Sequence, residues 1–70
     1  MKITVSINGD QLKLEDGIRM SDLLETQGYD IGRGIFAVAV NSEFLPRDQY
    51  AHYQVRRHDR VDIVQPIAGG

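Results

Sequence analysis

The chain closes on two glycines, Gly69-Gly70, and of all its residues these most directly suggest chemistry by type and place. Glycine has no Cβ, so such a pair passes through a channel too narrow for any other residue and takes any φ on the way. Fully extended, Ile67-Ala68-Gly69-Gly70 reaches roughly 13 Å. An end of this kind delivers a carboxyl group into the active site of another protein. Unbound, it is predicted to be mobile, because Pro66 stops the last strand pattern and the glycines have no side chains to pack. A terminal carboxyl group has a reference pKa of about 3.3 to 3.7, so at neutral pH it is an anion and a poor electrophile. Any group transfer to it needs prior activation.

The remaining reactive residues form no recognisable constellation. There is no cysteine, which excludes disulfides, zinc ribbons, iron-sulfur clusters and thiol nucleophiles. His52 and His58 have no carboxylates at metal-ligand spacing, so no metal site is expected. Ser6, Ser21 and Ser42 lie in strand, helix and turn contexts, none of which is a nucleophile elbow. Gly28, Gly32 and Gly34 follow a helix and precede a strand, whereas phosphate-binding loops follow a strand and open a helix. They read as a flexible connection. Arg56, Arg57, His58 and Arg60 form the one basic cluster, a candidate for meeting an acidic partner surface but more simply a solvated loop.

The elements that position these residues are legible from pattern. Ile3, Val5 and Ile7 alternate with Thr4 and Ser6, the period of a strand with one buried face. Asn8-Gly9 tolerates the positive φ of a two-residue hairpin turn and leads into a second strand through Leu12 and Leu14, which Asp16-Gly17 ends. Met20, Leu23 and Leu24 recur at helical spacing, predicting a helix over Met20 to Gln27 that ends near Gly28. Asp22 with Glu25 has capping-box spacing, while Ser21 or the residues just before it are alternative starts. The run Ile35-Phe36-Ala37-Val38-Ala39-Val40 reads as an interior strand. Asn41-Ser42 is a turn, and Phe44-Leu45 a short strand confined to an edge or terminus by Pro46. The segment Arg47 to His52 holds at most one helical turn. Val61 to Gln65 is a last strand, with Val61 and Ile63 on one side and Asp62 and Val64 on the other. The architecture is an α+β roll, a mixed sheet with one helix on one face.

Seventy residues make one domain with a thin core, and an enclosed substrate cavity is not expected. A hydrophobic share of 41% with 26% charged residues is that of a soluble globular domain. No apolar run approaches the length of a membrane helix, and the opening Met1-Lys2-Ile3-Thr4 lacks the apolar stretch of a signal peptide. The expected compartment is the cytoplasm, with no membrane partner. A formal charge of −2 gives no reason to bind nucleic acid, whose phosphates call for a basic surface.

Ala37-Val38-Ala39-Val40-Asn41-Ser42-Glu43-Phe44-Leu45-Pro46-Arg47 and Val61-Asp62-Ile63-Val64-Gln65-Pro66-Ile67-Ala68-Gly69-Gly70 resemble the two signature stretches of the thiamine-biosynthesis sulfur carrier proteins (ThiS). That family pairs a strand ending in V-N-G-E with V-P-R and finishes in an I-V-x-x-V-A-G-G type tail. The likeness spans the chain in order, including the opening I-x-V-x-x-N-G hairpin and the Asp22-Leu23-Leu24 helix. Two positions depart from it. Ser42 stands where the family usually has glycine, and Arg57-His58-Asp59 replaces a D-G-D turn, both at the cost of a little strain at positive φ.

The resemblance implies a ubiquitin-like β-grasp fold, α+β, with four to five strands on one helix over residues 1–66 and a tail over 67–70. It implies a protein cosubstrate rather than an enzyme. An E1-like adenylating enzyme would join Gly70 to AMP using ATP, a sulfur donor such as a cysteine desulfurase would supply sulfur for a thiocarboxylate, and thiazole synthase would consume it. No cofactor is bound by the chain itself. Rival readings are a carrier for molybdopterin or cysteine synthesis, a ubiquitin-like modifier, and a purely structural interaction domain. With Val61 and Ile63 facing the helix, alternation turns Val64 outward, either to form with Ala37 and Ala39 an apolar docking patch beside the tail or to stand as a lone exposed apolar residue.

Overall fold

The computed structural model describes residues 1–65. The sequence-predicted tail residues Ile67, Ala68, Gly69 and Gly70 lie outside the described residues, as does Pro66.

Strand β1 (Lys2–Ile7) buries Ile3, Val5 and Ile7 and leaves Thr4 and Ser6 half-covered, as the period of two requires. It pairs antiparallel with β2 (Asp10–Glu15) through a turn in which Asn8 has φ 50° and Gly9 φ 88°. Both signs are positive, which is the mirror-image turn whose twist suits a hairpin. Helix α1 (Met20–Thr26) packs Met20, Leu23 and Leu24 into the core. It stops at Gly28, φ 89°, where the Gly28 N–H donates to the Glu25 carbonyl and the Tyr29 N–H to that of Leu24. Those two bonds cap the last turn, and the left-handed residue between them favours glycine.

The helix begins at Met20, as its apolar spacing predicts, and of the alternative starts it uses a residue just before Ser21. Neither Ser21 nor Asp22 caps it: Arg19 is the N-cap and makes no side-chain cap bond. The Met20 N–H donates to the Tyr53 carbonyl and the Ser21 N–H to the Tyr50 carbonyl, both at 2.9 Å. Free N–H groups at a helix start need some acceptor, and here a distant loop supplies it.

Strands β3 (Ala37–Val40) and β4 (Glu43–Leu45) form a second hairpin through Asn41-Ser42, and a 3-10 turn at Arg47–Gln49 follows. Strand β5 (Arg60–Val64) then inserts between the hairpins, parallel to β1 and antiparallel to β3. The order is β2-β1-β5-β3-β4, a mixed five-stranded sheet with α1 on one face. Between sheet and helix lie Val38, Val40, Val61 and Ile63 with the β1 and α1 residues, joined by Tyr50 and Val55. The last two come from a stretch that looks polar in sequence.

Candidate functional site

The strand that leads to the chain end also carries exposed apolar surface. On β5, Val61 and Ile63 are buried and Val64 faces out, 64% exposed. Register sets Val64 opposite Ala37, and Ala39 between Asp62 and Phe44. Val64, Ala37 and Ala39 are therefore neighbours on the outer face, in the arrangement that strand alternation predicts. Two further large apolar residues that the sequence reading did not assign to this patch are exposed, and register sets one of them, Phe44, opposite Ala39. Phe44 on β4 is 69% exposed, and Ile35, just ahead of β3, is 78% exposed. The signal for Phe44 was its place two residues before Pro46, on an edge where one ring face has no neighbour to cover it.

Ile35 corrects the sequence expectation of a strand beginning there. β3 starts at Ala37, because Ile31 to Gly34 are held as a loop. The Arg47 guanidinium donates to the Ile31 and Gly34 carbonyls, and the Gly34 N–H donates to that of Asp30. Phe36 turns inward, stacked on Tyr50 at 6.1 Å and tilted against Tyr29 at 5.3 Å. Ile35 is left on the surface. Apolar side chains clustered on one exposed face are the usual mark of an interaction surface.

The other end of β5 is fastened by a buried carboxylate. Asp59, 6% exposed, accepts from the Tyr53 hydroxyl at 2.6 Å and the Arg56 N–H at 2.9 Å with one oxygen. Its other oxygen accepts from the Asn41 side-chain amide at 3.0 Å. Asn41 in turn accepts from the Arg60 N–H at 2.9 Å. The two sequence departures sit where strain was expected: Ser42 has φ 71° and His58 φ 67°. The His58 N–H donates to the Thr4 carbonyl at 2.8 Å, so the strained turn is tied to β1.

Burial, then the hydrogen bond to Asp59 and its negative charge, push the Tyr53 phenol up to about 12. Since the folded value exceeds the unfolded value of about 10, the stabilisation is complete below pH 10 and lost as pH rises towards 12. Alkaline unfolding followed by ultraviolet absorbance is expected to show a loss of stability across that interval that Tyr53→Phe removes.

The remaining candidates stay apart. His52 and His58 are exposed. Among the described residues, no three His, Cys, Asp or Glu side chains converge into a metal-binding group. The glycine-containing loop lines an open depression with Glu25, Tyr29, Asp30 and Ile31. In the basic cluster, Arg60 pairs with Asp62 at 3.3 Å and contacts the Ser42 hydroxyl, while the Arg56 and Arg57 side chains are exposed. Among the described residues, no helix is long and apolar enough to cross a membrane.

A five-stranded mixed sheet of this order grasping one helix is an α+β, β-grasp domain, and among the described residues its outer face carries exposed apolar side chains. The fold matches the crystal structure of a thiamine biosynthesis protein (ThiS) from Geobacter metallireducens with a TM-score of 0.80 and 20% sequence identity, covering 97% of this chain and 100% of that one. Residues 3–70 match the sequence model of the ThiS family. The chain belongs to the ThiS family, whose members are small sulfur carriers of thiamine biosynthesis. No curated protein matches it significantly in sequence.

Proposed function

We propose that this chain is the sulfur carrier for thiazole formation, with residues 1–66 as a folded handle and 67–70 as the tail that reaches a partner's active site. The Gly70 carboxylate attacks the α-phosphate of ATP on an E1-like adenylating enzyme, releasing pyrophosphate and leaving an acyl-adenylate. A persulfide sulfur supplied by a cysteine desulfurase displaces AMP. A second thiol then cleaves the sulfur–sulfur bond, and a thiocarboxylate remains on Gly70 for thiazole synthase. ATP and the catalytic groups belong to the partners, and the carrier binds no cofactor of its own.

The observation that carries this reading is the family match, which runs through Gly69-Gly70. The apolar strip of Val64, Ala37, Ala39 and Phe44 supports it as the docking face, because it ends at the residue just before Gln65. The test is intact mass after incubation with ATP, the adenylating enzyme, cysteine and a desulfurase. The chain is expected to gain the difference between sulfur and oxygen, localised to Gly70. No gain with active partners overturns the reading.

Val64→Asp is expected to weaken binding to the adenylating enzyme by about tenfold or more, since it desolvates a carboxylate in an apolar interface. The isolated domain should keep its stability within about 0.5 kcal/mol, as exposed positions do. Titration by fluorescence anisotropy and thermal melts check the two halves. Unchanged affinity removes Val64 from the docking face.

A further inference from the structure

Beyond its turn, Asn8 does something the hairpin does not require. Its N–H donates to the Val61 carbonyl at 2.9 Å, and its side-chain oxygen accepts from the Ile63 N–H at 2.7 Å. The parallel pairing of β1 with β5 runs only through Ser6↔Arg60 and Ile7↔Val61, after which the chain turns away into β2. On that side the Ile63 N–H has lost its strand neighbour. The Asn8 carboxamide stands in for the missing backbone carbonyl and carries the ladder one step further. Among the described residues it is the last hydrogen bond on the β1 side of β5 before Gln65. On the other side, the Ala37↔Val64 pair closes the register with β3.

We infer that Asn8 is a positioning residue for the departing chain: its carboxamide pins the end of β5, and so holds Val64 in the docking strip and fixes where the tail sets out. This rests on the carrier reading above. A strand end held on one side only opens more often, and the open form presents neither Val64 nor a defined starting point for the tail. An apparent affinity falls in proportion to the competent fraction. Once the partner has ordered the strand, the reach to the active site is the same as before. Loss of the tether therefore raises KM and leaves kcat alone.

The clean variant is Asn8→Gly, which keeps the positive φ of the turn and removes only the carboxamide. Asn8→Asp, which restores a side-chain oxygen at a position whose φ of 50° aspartate tolerates, is the rescue. Amide hydrogen exchange should quicken about fivefold at Ile63 in Asn8→Gly, the factor expected for one net hydrogen bond, with the amides of Thr4 and Val5 unchanged. In steady-state adenylation KM for the carrier should rise at constant kcat, by less than the roughly fivefold of exchange because the competent fraction changes less than the opening constant, and Asn8→Asp should return both readings towards wild type. Unchanged protection at Ile63, a change in kcat instead of KM, or failure of the aspartate to restore either, overturns the role of Asn8. A wild-type chain that is never adenylated overturns the carrier reading instead, and the exchange data still decide the tether separately.

Discussion

Extending the chain by one alanine beyond Gly70 is expected to abolish sulfur loading. The added residue moves the carboxyl group outward by about 3.3 to 3.6 Å and brings a Cβ into a channel sized for glycine. Deleting Gly70 is expected to do the same, because the carboxylate then falls short of the ATP α-phosphate by one residue. Misplacement of that order costs a hundredfold or more, roughly, when a reaction depends on alignment. Both variants should melt with the wild type, as the change lies beyond β5 and outside the core residues. Intact mass after incubation with ATP, the adenylating enzyme, cysteine and a desulfurase distinguishes the outcomes. An extended chain that loads sulfur as fast as wild type rules out a terminal carboxylate as the site and favours a purely structural domain.

Asp59→Ala is expected to cost about 3 kcal/mol or more, since three donors lose a charged acceptor and the Tyr53 and Arg56 donors are left without one in a part-buried site. A 70-residue domain has of the order of 4 to 10 kcal/mol in total, so this single carboxylate accounts for a third or more. The melting temperature should fall by roughly 15 °C, given the usual 4 to 8 °C per kcal/mol in domains of this size. Asp59→Asn keeps the size and one acceptor oxygen but turns an NH2 towards at least one donor, and should lose about half as much. Urea unfolding of both variants measures the difference. A loss below about 1 kcal/mol for the alanine would show that water replaces the carboxylate at little cost.

The exposed apolar strip illustrates how far pattern reading reaches in this chain. Alternation along β5 was enough to turn Val64 outward, and the apolar run of β3 was enough to set Ala37 and Ala39 beside it. Phe44 and Ile35 escaped, because exposure at an edge strand and at a loop end depends on what covers them, and no neighbouring residue in sequence does. The proposed tail chemistry has a different basis: it rests on what glycine lacks and on family likeness.

Sequence alone determined what local forces decide. The β1–β2 hairpin, the positive φ at Asn8, the end of α1 at Gly28 and the inner face of β5 follow from side-chain period and turn chemistry acting over a few residues, while the positive φ at Ser42 and His58 was legible only through the family likeness. Tertiary structure decided where distant segments stand in for missing local partners. The first N–H groups of α1 find their acceptors in the carbonyls of Tyr50 and Tyr53, Asp59 is buried against Tyr53 and Asn41, and Ile63 is held by a side chain 55 residues away. A backbone group must find a partner once it leaves water, and nothing in the neighbouring residues says which segment will bring it.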